Sequence, residues 1–124
     1  MRTSSDPQGA ASDLAVDPTK ITAYLLNVDH PEGGAKARFF IARGFDPGVV
    51  AIFIAAVRQH AVALHFVRDV SNEYGVKRVY EGPLACPDGT VPHVRSVWHT
   101  TPGSSMRMLV TAYPIGDPAR GGTV

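Results

Sequence analysis

The chain changes its hydrophobic period once, just after His60, and that single switch limits the folds open to it. Ahead of it, apolar residues recur at helical spacing behind cap signals; beyond it, runs rich in Val, Tyr, Thr and Phe alternate with turn residues. Asp17 before Pro18 matches an N-cap with proline at the first helical position, and Ile21, Tyr24 and Leu25 carry a short first helix to Asn27. Asp29 to Pro31 repeats the signal. A second helix over 35–43 puts Ala35, Phe39 and Ala42 on one face, with Gly44 as its stop. Asp46 and Pro47 open a third, whose apolar run from Val49 to Val57 leaves almost no polar stripe and predicts central packing against a sheet. At nine residues that run is half of what a bilayer-spanning helix requires, so a core helix and no membrane is the expectation.

Past the switch, strands are predicted over 64–70, 74–84, 91–101 and 106–113, with short turn-forming stretches between them. Helices first and hairpin-linked strands afterwards is the segregated pattern of an α+β fold, here helices on a four-stranded antiparallel meander. Residues 1–17 and 116–124 carry Ser, Gly, Pro and Asp without apolar periodicity and are expected as flexible tails around one domain at 18–115. With 124 residues, a separate cofactor module has no room, and no cofactor is expected.

The net charge of +1 argues for neither nucleic acid nor membrane, but it is unevenly spread. Residues 20–113 hold ten basic and seven acidic side chains, so the domain itself is mildly basic. A lone cysteine, Cys86, cannot close an intrachain disulfide and fits a reducing compartment; without an export signal, a cytoplasmic location is the expectation.

In the third strand Val94, Ser96 and Trp98 alternate with His93, Arg95, Val97 and His99, which makes one face apolar and the other basic. In the fourth, Met108, Val110 and Ala112 form an apolar set opposite Arg107, Leu109, Thr111 and Tyr113. Helices covering Trp98 and Val110 would leave Arg95, Thr111 and Tyr113 on a shared open face; outward polar positions on a half-exposed sheet are equally an ordinary solvated surface. His93 and His99 are roughly 20 Å apart at ~3.3 Å per residue and cannot share a metal, so no metal site is expected. His60, His65 and His93 read as lone surface histidines. His30, Gly33, Gly34 and Lys36 crowd about a helix start, where backbone amides favour anions; the bland alternative is a tight glycine turn capped by His30 beside a solvated lysine. A Gly-Lys-Ser/Thr phosphate loop is absent, which disfavours ATP hydrolysis. Cys86 has no motif of a catalytic thiol, and Asp69, Glu73 and Glu81 have no evident pairing in sequence.

The stretches ITAYLLNVDHPEGGAKARFFIARGF, YGVKRVYEGPL, VRSVW and LVTAYP resemble a family of small bacterial domains designated domain of unknown function 6883, over about residues 20 to 114. The designation carries no activity. The order of elements is also similar to the metal-independent RNases of the barnase, EndoU and RelE-type toxin class. That resemblance implies a site in which a histidine or lysine from the helical half faces a basic residue and a Thr/Ser-x-Tyr pair on the sheet. The matching positions are His30, Lys36, Arg95, Thr111 and Tyr113.

On this resemblance His30 is expected as base, Lys36 and Arg95 as phosphate stabilisers, and Tyr113 or His99 as acid or orienting donor. Thr111 would hydrogen-bond the phosphate, and Gly33 and Gly34 would help bind it. Attack by the 2′-hydroxyl would leave a 2′,3′-cyclic phosphate. The implied partners are an RNA substrate and a cognate antitoxin or immunity protein. The rival expectation is a noncatalytic module whose open sheet face binds a protein.

Overall fold

The computed structural model describes residues 13–116; of the tails expected at 1–17 and 116–124, residues 1–12 and 117–124 lie outside the described residues. Strand β1 (Leu14–Ala15) leads into helix α1 (Pro18–Lys20), which continues as one π-helical stretch, Ile21–Leu25. Helices α2 (Gly34–Ala42) and α3 (Val50–His60) follow, then strands β2 (Phe66–Asn72), β3 (Gly75–Pro83), β4 (His93–Thr100) and β5 (Arg107–Pro114). The α+β class is as the sequence implies.

The sheet differs from a four-stranded meander. Its order is β1-β5-β4-β3-β2, five strands, and β1 runs parallel to β5 with Leu14 opposite Arg107 and Ala15 opposite Met108. The added strand comes from inside the 1–17 stretch read as a tail, and Leu14 is buried. A two-residue strand carries too little pattern for alternation to register.

Two of the four predicted helix ends are as expected; the other two are corrected, because α2 is capped by Gly33 and not at Asp29, and α3 by Val49 and not at Asp46, which instead accepts the Gly48 amide at 2.7 Å in the turn ahead of the helix. Asp17 accepts the Thr19 amide at 2.9 Å with proline at the helix start, and Gly44 ends α2 with φ +103°, a left-handed conformation that favours glycine. Packing corrects two predicted faces. In α2 the buried residues are Gly34, Ala37 and Phe40 rather than the Ala35, Phe39 and Ala42 set. In α3, Phe53, Ala56, Val57 and His60 are buried, whereas Ile52 is about half exposed, so α3 covers the sheet with one stripe and is not central. Val94, Ser96 and Trp98 of β4 are fully buried, and with Phe40, Phe53 and Leu25 they build the core; each large apolar side chain contributes about 1.5–3 kcal/mol by leaving water.

β5 carries a bulge. Val97 pairs with Thr111 but Trp98 pairs with Leu109, so Val110 is the extra residue and the strand's facing inverts there. Leu109 and Ala112 are therefore both buried, correcting the predicted Met108, Val110, Ala112 set, and Met108 is exposed.

His60 is no surface histidine. It is 2% exposed, and its Nε2 lies 2.8 Å from the Val94 carbonyl and 3.1 Å from that of Gly82. Carbonyls only accept, so Nε2 carries the proton. Nδ1 then accepts from the Ser96 hydroxyl at 2.8 Å, and Ser96 Oγ accepts from the Trp98 indole at 3.0 Å. Burial holds His60 down at about 4 against its ordinary 6.5, with the bonds to Val94 and Gly82 acting in the opposite direction.

Gly82 is glycine for a reason of space. A Cβ there would sit 2.5 Å from the His65 ring, and His65 is itself held by its Nδ1–H on the His60 carbonyl at 2.7 Å. Gly82→Ala is expected to cost about 1–3 kcal/mol by overpacking this corner, read as a lower midpoint in urea unfolding; an unchanged midpoint would refute the account.

Candidate active site

The first helical stretch and α2 meet the sheet at β5, and polar side chains from all three elements converge there. Lys36, on the first turn of α2, donates to the Tyr24 hydroxyl at 3.2 Å and lies 5.1 Å from the centroid of the Tyr113 ring. The Tyr24 hydroxyl is 3.5 Å from Thr111 Oγ1. Lys20 Nζ stands 5.9 Å from the Tyr24 ring centroid and donates to the bulge carbonyl of Val110 at 3.2 Å.

On the sheet, Glu81, Arg95 and Tyr113 are direct cross-strand partners in register, so their side chains share one face. Arg95 donates Nε to Glu81 at 2.7 Å and Nη1 to the Tyr113 hydroxyl at 2.9 Å. Glu81 therefore has the pairing that the sequence alone did not reveal. Asp69 has one too, a two-pronged ion pair with Arg78 at 2.7 and 2.8 Å.

Electrostatics single out Tyr24. Its hydrogen bond to Thr111 holds the phenol below its ordinary value of 10; burial opposes that, and the bond and charge of Lys36 add to the lowering. Arg95 is held in the charged form by its bonds to Tyr113 and Glu81.

Of the predicted residues, Lys36, Arg95, Thr111 and Tyr113 are joined into this one network. His30 adjoins it through an edge-on ring contact with Tyr24, centroids 4.8 Å apart. Its Nδ1 accepts the amides of Glu32 and Gly33 at 3.0 and 2.9 Å, which fixes the ring proton on Nε2. In that tautomer His30 has no free lone pair, so it caps the turn, and a base at this position is inconsistent with the geometry.

Gly33 and Gly34 do not offer their amides to an anion. The Gly33 amide is spent on His30 Nδ1 and that of Gly34 on the His30 carbonyl at 3.0 Å. A Cβ on Gly33 would fall 2.6 Å from the Tyr24 ring, and one on Gly34 would fall 2.5 Å from the Val28 carbonyl oxygen. Close approach, not anion binding, accounts for the pair.

His99 is not joined to the network either. It lies four residues along β4 from Arg95, about 13 Å at ~3.3 Å per residue, and donates to the Tyr74 carbonyl at 3.0 Å. The side chains that sequence reasoning missed are Tyr24, Lys20 and Glu81. Tyr24 sits in the apolar spacing of the first helix, where its hydroxyl is invisible to a periodicity argument.

Cys86 is buried, donates to the Leu84 carbonyl at 3.5 Å, and burial pushes its thiol up, which makes it a poor nucleophile. Among the described residues no three His, Cys, Asp or Glu side chains form a group able to hold a metal, and no helix is long and apolar enough to cross a membrane.

A family model described as domain of unknown function (DUF6883) matches residues 8–116. No curated protein matches the sequence. Among solved structures, a chain of a contact-dependent growth inhibition toxin–immunity protein complex from Klebsiella pneumoniae 342 superposes with a TM-score of 0.65 at 15% identity. The alignment covers 81% of this chain and 98% of that one. At such identity the two share a fold.

Proposed function

The chain belongs to the DUF6883 family, and from that premise and the geometry at the helix–sheet junction we propose that it is a metal-independent endoribonuclease of toxin type. The observation that carries this reading is the placing of Lys36: its ammonium is hydrogen-bonded to Tyr24 and stands over Tyr113, whose hydroxyl Arg95 holds. Two cations and three hydroxyls around one spot are what an in-line attack on a phosphodiester requires.

Tyr24 in its ionised form, which Thr111 and Lys36 favour, takes the proton from the ribose 2′-hydroxyl. The freed oxygen attacks phosphorus while Lys36 and Arg95 bind the non-bridging oxygens, joined by the Thr111 hydroxyl once Tyr24 has taken its proton. Tyr113 accepts a hydrogen bond from Arg95, so its own proton is free to go to the departing 5′-oxygen as the P–O5′ bond breaks. The products are a 2′,3′-cyclic phosphate and a 5′-hydroxyl. His30 keeps a positioning role, holding the turn against Tyr24. Kinship of fold with a chain from a toxin–immunity protein complex supports the toxin reading, and the partner that reading calls for is a cognate immunity protein.

The test is cleavage of total RNA by the purified chain in excess chelator, with analysis of the ends. Cyclic phosphate termini are expected, and Thr111→Val is expected to slow the reaction about tenfold by removing one hydrogen bond to charged groups. Intact RNA beside a folded wild type would refute the proposal.

One observation favours the noncatalytic module as a second reading. Edge strand β2 is exposed along its whole length and carries Phe66, Val67 and Val70, with Leu64 just ahead of it 90% exposed. An open edge of this kind pairs with a strand of another protein.

A further inference from the structure

A cleft of about 260 Å³ adjoins the proposed centre and is lined by Phe39, Arg43, Pro92, His93, Pro114 and Ile115, among others. Its position follows from the elements already described. Lys36 and Phe39 of α2 and Arg43, its C-cap residue, recur at i, i+3 and i+7, so they form one stripe, and Phe39 is about 5 Å along the helix from Lys36 at 1.5 Å per residue. Pro114 follows Tyr113 directly, and His93 lies on β4 two residues before Arg95, about 7 Å away at ~3.3 Å per residue. The cleft is therefore one step removed from the cations that would grip the scissile phosphate.

One wall is a prebuilt platform. The guanidinium carbon of Arg43 lies 3.7 Å from the centroid of the Phe39 ring, a cation stacked on an aromatic face. Two bonds fix it: Arg43 Nη1 donates to the Phe39 carbonyl at 3.1 Å, and the Arg43 carbonyl accepts the Asp88 amide at 3.1 Å. The remaining walls are apolar, from two prolines and Ile115, whose amide donates to the His93 carbonyl at 2.9 Å and so pins the strand ends. His93 adds a ring able to hydrogen-bond along a ligand's edge.

A planar cationic platform, apolar sides and one edge-bonding group suit a flat heteroaromatic ring, which is how unpaired RNA bases are held. The volume falls just below the range of sites for drug-sized ligands, which fits a single ring system. We propose that this cleft is a nucleobase subsite, holding the base of a nucleotide that flanks the bond to be cut. The inference rests on the nuclease reading and adds a source of sequence preference to it.

The test uses a short oligoribonucleotide, carrying the mapped cleavage site where RNA is cut and otherwise one that the chain binds, and versions in which the nucleotide on either side of the cut or central position is made abasic in turn. A non-cleavable form, 2′-deoxy at the scissile position, serves for binding by fluorescence anisotropy. Removing the base on one side is expected to weaken binding to the wild type about tenfold or more, in line with stacking on a single platform. Arg43→Ala is expected to bind the intact oligonucleotide that much more weakly and to be indifferent to the abasic change. His93→Ala, which leaves the Phe39 packing untouched, is expected to show the same insensitivity in part and serves if Arg43→Ala fails to fold. Wild-type binding and cleavage that ignore both abasic changes would overturn the subsite while leaving the nuclease standing, and would leave the cleft to a protein side chain. Base-sensitive binding abolished by Arg43→Ala, without cleavage by the wild type, would keep the cleft and sink the nuclease.

Discussion

Lys36→Met is expected to lower kcat/KM for RNA cleavage about 10³-fold while leaving the fold intact. The large effect has two sources, both at one nitrogen. The ammonium is a preorganised donor for charge developing on the phosphate, and loss of one such donor costs ~10²–10³-fold in rate. It also donates to the Tyr24 hydroxyl at 3.2 Å and favours its ionised form, so its removal raises the phenol and leaves less of the base ionised at neutral pH. The sign is therefore fixed: in the variant the rising limb of the pH–rate profile moves to higher pH. Methionine keeps an apolar stem beside Tyr24 and Tyr113, so unfolding free energies should agree within about 0.5 kcal/mol, as for other side chains outside the core. Equal rates for variant and wild type would remove Lys36 from the mechanism.

Acidification is expected to destabilise the protein through His60 before its carboxylates are touched. The native group titrates at about 4 because burial disfavours the imidazolium, whereas an unfolded histidine titrates near 6.5. Between those values the unfolded chain holds a proton that the folded one refuses, so stability is full above about pH 6.5 and falls as the pH drops toward 4. At ~1.36 kcal/mol for each pH unit between the two values, the loss reaches about 3 kcal/mol. Asp69, held low by its bonds to Arg78, acts in the same direction but in the more acid range. Urea unfolding measured from pH 7.5 to 4 should show this slope, and His60→Asn, though less stable, should lose one proton's worth of it. A native His60 resonance that titrates near 6.5 would contradict the account.

The class of fold was legible in the sequence because long elements repeat their pattern. The four strand runs beyond His60 fall within two residues of the observed strands, and Asp17, Pro18 and Gly44 mark helix ends through backbone chemistry that is local. What escaped depends on tertiary placement. β1 has two residues and no period of its own. The bulge at Val110 has no composition that marks it. His60 reads as polar in any scale, and only Ser96, Trp98 and two carbonyls meeting it make burial affordable.

The candidate site divides in the same way. Arg95, Thr111 and Tyr113 follow from strand alternation, which fixes direction as well as identity. Tyr24 and Glu81 required knowing which elements lie side by side. His30 was found by its unusual surroundings, yet its role changed once the two amides on Nδ1 were visible.

The extra residue in β5 gives one strand two allegiances. Its opening half turns Leu109 inward to Trp98, its closing half turns Thr111 and Tyr113 toward the lysine, and the half-step at Val110 sets where one duty ends and the other begins. Lys20 donates to the carbonyl of that extra residue, so the dislocation is latched from the helix side.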